Sequence, residues 1–167
     1  MARILERMPP EVWEIGVGMD ILRRNTDYAL RLMIALAKRY TEGAASTRSL
    51  AQEQEVSYEL ACKLMQRLHD ARLVSSSMGP RGGFELGREP GQISLLEVVK
   101  VIQGPVRLNR CLMSDCACPR GGSCAIRARI TELQGQMEQY LSSVTLGDLA
   151  ESPAPEMKHR QLHGRTR

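Results

Sequence analysis

Residues 46–86 read STRSLAQEQEVSYELACKLMQRLHDARLVSSSMGPRGGFEL, and this stretch decides the fold. Ser46-Thr47 cap a short helix, Arg48 to Gln54, whose Leu50 and Ala51 point inward. A break at Glu55-Val56-Ser57 leads into a helix from Tyr58 to Ala71, with Leu60, Leu64 and Leu68 four apart on one face. Two short helices joined by so tight a turn have the proportions of a helix-turn-helix. Two β-prone runs follow, Leu73 to Met78 and Phe84 to Leu86, around the turn Gly79-Pro80-Arg81-Gly82-Gly83. A hairpin directly after a helix-turn-helix is the outline of a winged helix.

Upstream, Tyr28, Ala29, Leu32, Met33, Leu36, Ala37 and Tyr40 recur at helical spacing, so a helix is expected from Asp20 to Tyr40, either capped by Thr26 or Asp27 or beginning earlier. Ser94 caps another, Leu95 to Gln103, stopped by Gly104-Pro105. A long helix runs from about Cys124 to Ser143, with Ile126, Ile130, Leu133, Met137, Tyr140 and Val144 alternating spacings of four and three. That is a two-strand seam, and a second copy of the chain is its simplest partner. The expected class is mostly α with a small β-hairpin wing: a winged helix-turn-helix plus a long C-terminal dimerisation helix. The expected organisation is a flexible leader at 1–18 with Met19 as an alternative start, a DNA-binding domain at 19–103, a cysteine-rich loop at 104–123, a dimerisation helix and return segment at 124–150, and a disordered basic tail at 151–167.

The composition fits that picture. In 167 residues the apolar share is 43% and the charged share 25%, which excludes collagenous and mostly disordered chains. No long apolar run or export signal occurs, so no membrane contact and a cytoplasmic, reducing location are expected. The net charge of +4 is modest, but the 23 cations comprise 19 Arg and 4 Lys. The planar fork of Arg suits phosphate oxygens and guanine edges.

Double-stranded DNA is therefore the expected partner. Turning the three leucines inward leaves Ser57, Tyr58, Glu59, Cys62, Lys63, Gln66 and Arg67 outside. Gln66 suits adenine, Arg67 guanine or phosphate, and Ser57 and Tyr58 phosphate, with Lys63 alongside. Arg81 on the wing tip, flanked by Gly82, suits a minor groove, because glycine lets the backbone approach closely. No nucleophile–base pair, P-loop or dinucleotide fingerprint occurs, and no enzyme is expected.

Four of the five cysteines, Cys111, Cys116, Cys118 and Cys124, fall within 14 residues. Their spacing is not that of a zinc ribbon. Soft thiolates in a short loop can wrap an iron–sulfur cluster, and Pro119, Gly121 and Gly122 supply sharp bends. Arg110, Arg120, Arg127 and Arg129 around the loop would offset an anionic cluster. A disulfide switch without metal is the alternative on the same fold, and a cluster-bearing electron carrier or enzyme is the alternative from another class.

From Met19 to about Ala150 the chain resembles the Rrf2 family of bacterial transcription regulators. The likeness rests on Asn25-Thr26-Asp27-Tyr28-Ala29-Leu30, Leu50-Ala51 with Val56-Ser57, Leu64-Met65-Gln66-Arg67-Leu68, the wing Gly79 to Phe84, the cysteine loop, and Thr145-Leu146-Gly147-Asp148-Leu149. It implies a homodimeric winged-helix repressor or activator. In the cluster-binding branches it implies a [2Fe–2S] or [4Fe–4S] cluster held by three cysteines, a pattern that Cys111, Cys118 and Cys124 fit best, with Cys116 as an alternative ligand. In the iron–sulfur biogenesis branch the fourth ligand is a His, where this chain has Arg127. In the nitric-oxide-sensing branch it is an Asp of the partner subunit's first helix, and Asp27 stands at the matching place. Two further departures are Glu55 at a turn position often held by Gly, and Cys62 at a position in the reading helix often longer and polar. The implied function is DNA binding controlled by a cluster that senses iron–sulfur status, nitric oxide or redox state.

Overall fold

A computed structural model of the chain describes residues 21–79, 82–112 and 123–152. Six helices and one hairpin follow in order: α1 (Arg24–Lys38), α2 (Thr47–Glu53), α3 (Tyr58–Asp70), β1 (Val74–Ser77), β2 (Gly83–Leu86), α4 (Leu95–Gln103), α5 (Ala125–Ser143) and α6 (Leu146–Glu151). This is the mostly helical architecture with a two-stranded wing expected from the sequence. β1 and β2 pair antiparallel, Val74 opposite Leu86 and Ser77 opposite Gly83. A bridge from Ala45 to Phe84 adds a third rung and ties the wing to the segment before α2. Gly83 is needed there, because a Cβ would stand 2.2 Å from the Ala45 carbonyl oxygen.

The core lies between α1, α2, α3 and α4. Leu32, Met33, Leu36, Leu50, Met65, Leu68, Ile93, Val98 and Val99 are buried. In α3 the buried set is Ala61, Leu64, Met65 and Leu68, while Leu60, expected inside, is only half-buried at the flank. None of the described helices is long and apolar enough to cross a membrane.

The first helix is shorter than its apolar period suggests. Arg23 is its N-cap and offers no side-chain acceptor, and neither Thr26 nor Asp27 caps it. The acceptor comes from the far end of α4 instead. Gln103 Oε1 accepts from the Arg23 amide at 3.0 Å and from the Thr26 hydroxyl at 2.7 Å. Gln103 Nε2 donates to the Ile21 carbonyl at 2.9 Å. Thr26 is wholly buried by this arrangement. Tyr40 falls beyond the helix end and is exposed.

Both helices of the helix-turn-helix end in the same way. The Val56 amide donates to the Ala51 carbonyl at 2.9 Å, and the Leu73 amide to the Leu68 carbonyl at 2.9 Å. These bonds close Schellman motifs around one left-handed residue each. The left-handed residues are Glu55, φ 54°, and Arg72, φ 60°. An L side chain in that region costs about 1–2 kcal/mol, part of which glycine's greater unfolded-state freedom takes back. Glu55→Gly is therefore expected to stabilise the fold by about 1 kcal/mol in urea unfolding; a midpoint that falls would contradict this account of the turn.

The return segment closes on the body. Ser94 bridges Thr145, the Leu95 amide donates to the Val144 carbonyl at 2.8 Å, and the Leu146 amide to the Ile93 carbonyl at 2.9 Å. Leu146 is fully buried in the main core. Each strand of this clasp starts a helix with a capping box, Ser94 with Glu97 and Thr145 with Asp148. Burial raises the Glu97 pKa, but hydrogen bonds from the Ser94 amide and hydroxyl and the Arg88 guanidinium outweigh it and hold the carboxyl below its ordinary value. Hydrogen bonds from the Thr145 hydroxyl and amide lower that of Asp148. A folded-state pKa below the unfolded one gives stability that is present above the unfolded value and lost as pH falls through the folded one. Glu97→Gln with Asp148→Asn should thus flatten the fall in stability between about pH 5 and about pH 3, read by denaturant unfolding. An equally steep fall in the double variant would remove these two carboxyls as its source.

Candidate DNA-reading face and cysteine loop

α3 follows an N-cap at Ser57, whose hydroxyl oxygen accepts from the Leu60 amide at 3.4 Å. At 3.6 residues per turn, Glu59, Cys62, Lys63 and Gln66 fall on the side opposite the buried Ala61, Leu64, Met65 and Leu68. Ser57, Tyr58, Lys63 and Gln66 are exposed, and Gln66 Nε2 donates to Asp70 Oδ1 at 2.8 Å within the helix. Tyr58 lies on the flank towards α2, with the Arg48 guanidinium 5.0 Å from its ring centroid. A hydrogen bond with Cys62, then electrostatic interaction with the same side chain, raises the Tyr58 pKa.

Arg67 is placed differently. It lies on the opposite flank and Nη2 donates to the Val101 carbonyl in the last turn of α4, at 2.8 Å. One of its donors is thereby engaged inside the fold. At the wing, the Gly82 amide donates to the Gly79 carbonyl at 2.9 Å, and a Cβ on Gly82 would meet the Ser77 oxygen at 2.4 Å. Arg81 lies outside the described residues.

Cys111 and Cys124 stand on the two stems of the loop, half-buried and with free thiols; Cys116 and Cys118 lie outside the described residues. Cys111 sits in a single 3-10 turn, Arg110–Leu112, with its amide on the Asn109 side chain at 3.3 Å. Cys124 is the N-cap of α5, its sulfur accepting from the Arg127 amide at 3.4 Å. Among the described residues, no three of His, Cys, Asp and Glu come together as a ligand group. Asp27 is exposed on α1 and pairs with Arg31 at 3.0 Å. Arg129 pairs with Glu132 at 3.0 Å.

The sequence reading missed the residue that holds the loop's first stem. Gln134, buried to 7% exposure on α5, donates from Nε2 to the Val106 carbonyl at 2.8 Å and accepts at Oε1 from the Leu108 amide at 3.0 Å. Arg107 reaches Glu138, one turn along, at 3.1 Å. The only hint in the sequence is that Gln134 lies seven residues before the buried Leu141, so both fall on the body-facing side. The apolar stripe lies about a quarter turn away. Ile126, Leu133 and Tyr140 are exposed at 70%, 51% and 67%, while Ile130, Met137 and Val144 are half-buried.

A helix-turn-helix, a paired wing and an outward polar face on its second helix define a winged-helix DNA-binding protein. The comparisons with known proteins agree. A family model described as Rrf2, iron-dependent transcriptional regulator, matches residues 22–152. The chain belongs to the Rrf2 family of transcriptional regulators. It is 35% identical over 123 residues to the HTH-type transcriptional regulator CymR of Bacillus subtilis, covering 74% of this chain and 84% of that protein. To the HTH-type transcriptional regulator IscR of Cronobacter sakazakii it is 28% identical over 144 residues, 84% and 88% of the two chains. Among solved structures, CymR, described as the global cysteine regulator of B. subtilis, superposes with a TM-score of 0.66 at 33% identity, over 77% of this chain and 94% of that one. The protein is a transcription regulator and not an enzyme.

Proposed function

We propose that this regulator binds double-stranded DNA as a homodimer through α3 and the wing, and that an iron–sulfur cluster held by the cysteine loop controls its affinity. Cys111, Cys118 and Cys124 are the proposed ligands, with Cys116 as alternative and Asp27 of the partner copy as fourth. The observation that carries the reading is the wiring of the loop's stems. Cys124 caps the helix whose Gln134 grips the opposite stem, and the loop leaves directly from α4. The last turn of α4 is bonded both to α3, through Arg67 and Val101, and to the start of α1, through Gln103.

The donor chemistry fits: two free thiols frame the loop, and soft thiolates favour iron–sulfur clusters over hard cations. When bound, such a group would supply a sensor whose charge and integrity change with iron, oxidant or nitric oxide. The protein's own contribution is positional. Ordering of the loop would shift the end of α4, hence α3, and so alter how two reading helices meet half-sites about one turn apart. The face of Ser57, Tyr58, Lys63 and Gln66, with Arg67, Arg81 and Gly82 beside it, is the proposed contact surface. The setting is the cytoplasm.

Reconstitution with iron and sulfide under anaerobic conditions tests the reading. Visible absorption together with a change in duplex affinity on loading is expected; a colourless protein would overturn the cluster. The free thiols of Cys111 and Cys124 on the loop's stems favour one second reading, a regulator controlled by thiol chemistry on the same loop without iron. In that case a colourless protein would change its affinity on oxidation and recover it with a dithiol reductant.

A further inference from the structure

We infer that Arg48 and Tyr58 form a phosphate grip that seats both helices of the helix-turn-helix on the DNA backbone. The inference rests on the proposed reading that α3 meets the duplex, and it assigns a contact to α2.

Arg48 lies in the first turn of α2, and Tyr58 is the first residue of α3. The tight turn between the helices brings them together, with the guanidinium carbon 5.0 Å from the ring centroid. Both side chains are exposed. Several arginines on the body have carboxylates: Arg31 has Asp27, Arg39 has Glu53, Arg88 has Glu97 and Arg107 has Glu138. Among the described residues, none of the ion pairs includes Arg48. A ring face orients the guanidinium without neutralising it, as a cation–π contact does. Its donor edge is left for an anion, and its planar fork matches phosphate oxygens. The Tyr58 phenol carries its proton at neutral pH as any tyrosine does, and can turn its hydroxyl from Cys62 to donate to the same group.

The position fits the strand and not the bases. In a helix-turn-helix the second helix enters the major groove while the first crosses the backbone. Tyr58 sits at the edge of the face formed by Glu59, Lys63 and Gln66, on the side next to α2. A group at that rim meets the phosphodiester chain that borders the groove. The ligand is therefore a backbone phosphate, bound without regard to sequence.

The test uses the full chain and mixed-sequence duplex DNA of about 30 base pairs, roughly three helical turns, with affinity followed by fluorescence anisotropy across a salt series. Arg48→Ala should weaken binding several-fold and lower the slope of log affinity against log salt by about 0.9 for each protomer engaged. Arg48→Lys should keep the slope and lose part of the affinity, because an ammonium keeps the charge but not the stacked fork. Tyr58→Phe should keep the slope and weaken binding less than Arg48→Ala. An Arg48→Ala protein with unchanged melting temperature and an unchanged salt slope would overturn the grip while the reading of α3 stands. A wild-type chain that binds no duplex at any salt would overturn both.

Discussion

Substituting Ser for Cys124 is expected to abolish the visible absorption of anaerobically reconstituted protein while leaving its helix content unchanged. The two outcomes separate because Cys124 has two duties. As the N-cap of α5 it accepts from the Arg127 amide, and a serine oxygen does this at least as well as sulfur. As a proposed ligand it supplies a soft thiolate, which serine does not. Iron and sulfide content per protomer, the absorption spectrum and far-ultraviolet circular dichroism check it together. Full iron content with an intact spectrum would take Cys124 out of the ligand set and leave Cys111, Cys116 and Cys118. Lost helix content would mean that the sulfur matters to α5 itself.

Truncating Leu133 and Tyr140 to Ala should convert the proposed dimer to monomer and cut operator affinity by two or more orders of magnitude. These side chains stand seven apart on an apolar stripe that the chain's own body leaves open. A two-fold interface contains every substitution twice. Removing four large apolar side chains at about 1.5 kcal/mol each costs roughly 6 kcal/mol of association, or roughly four decades in dimer dissociation. Sedimentation velocity and duplex titration read the two effects. A dimer that survives at micromolar concentration would place the interface elsewhere.

The sequence made the fold legible wherever periodicity and capping agreed. Ser46 and Ser94 were readable as N-caps because each precedes an apolar repeat of helical period, and each does cap; Ser57, readable only as part of a break, caps as well. The glycines of the wing announced the hairpin. The start of α1 was legible only as a choice between a cap at Thr26 or Asp27 and an earlier beginning; it begins earlier, at Arg24, because its acceptor is Gln103, some eighty residues away, which no local pattern encodes. Gln134 was hidden likewise, since a lone Gln on a charged helix looks like solvent surface until Val106 and Leu108 are folded against it. The bond from Arg67 to Val101 was not legible, because helical spacing does not say what a flanking side chain meets on another helix. The likeness of Glu55 to a glycine position came from family resemblance, and the backbone does adopt the left-handed conformation there.

The anchoring of Arg67 to Val101 divides the labour along α3. Glu59, Lys63 and Gln66 are exposed, so they can be exchanged as a block without unsettling the core. Arg67 differs, because its loss removes a bond that ties α3 to the last turn of α4. Divergence of target preference among descendants of such a chain can therefore proceed at three exposed letters, while a change at Arg67 also alters how two helices are tied together.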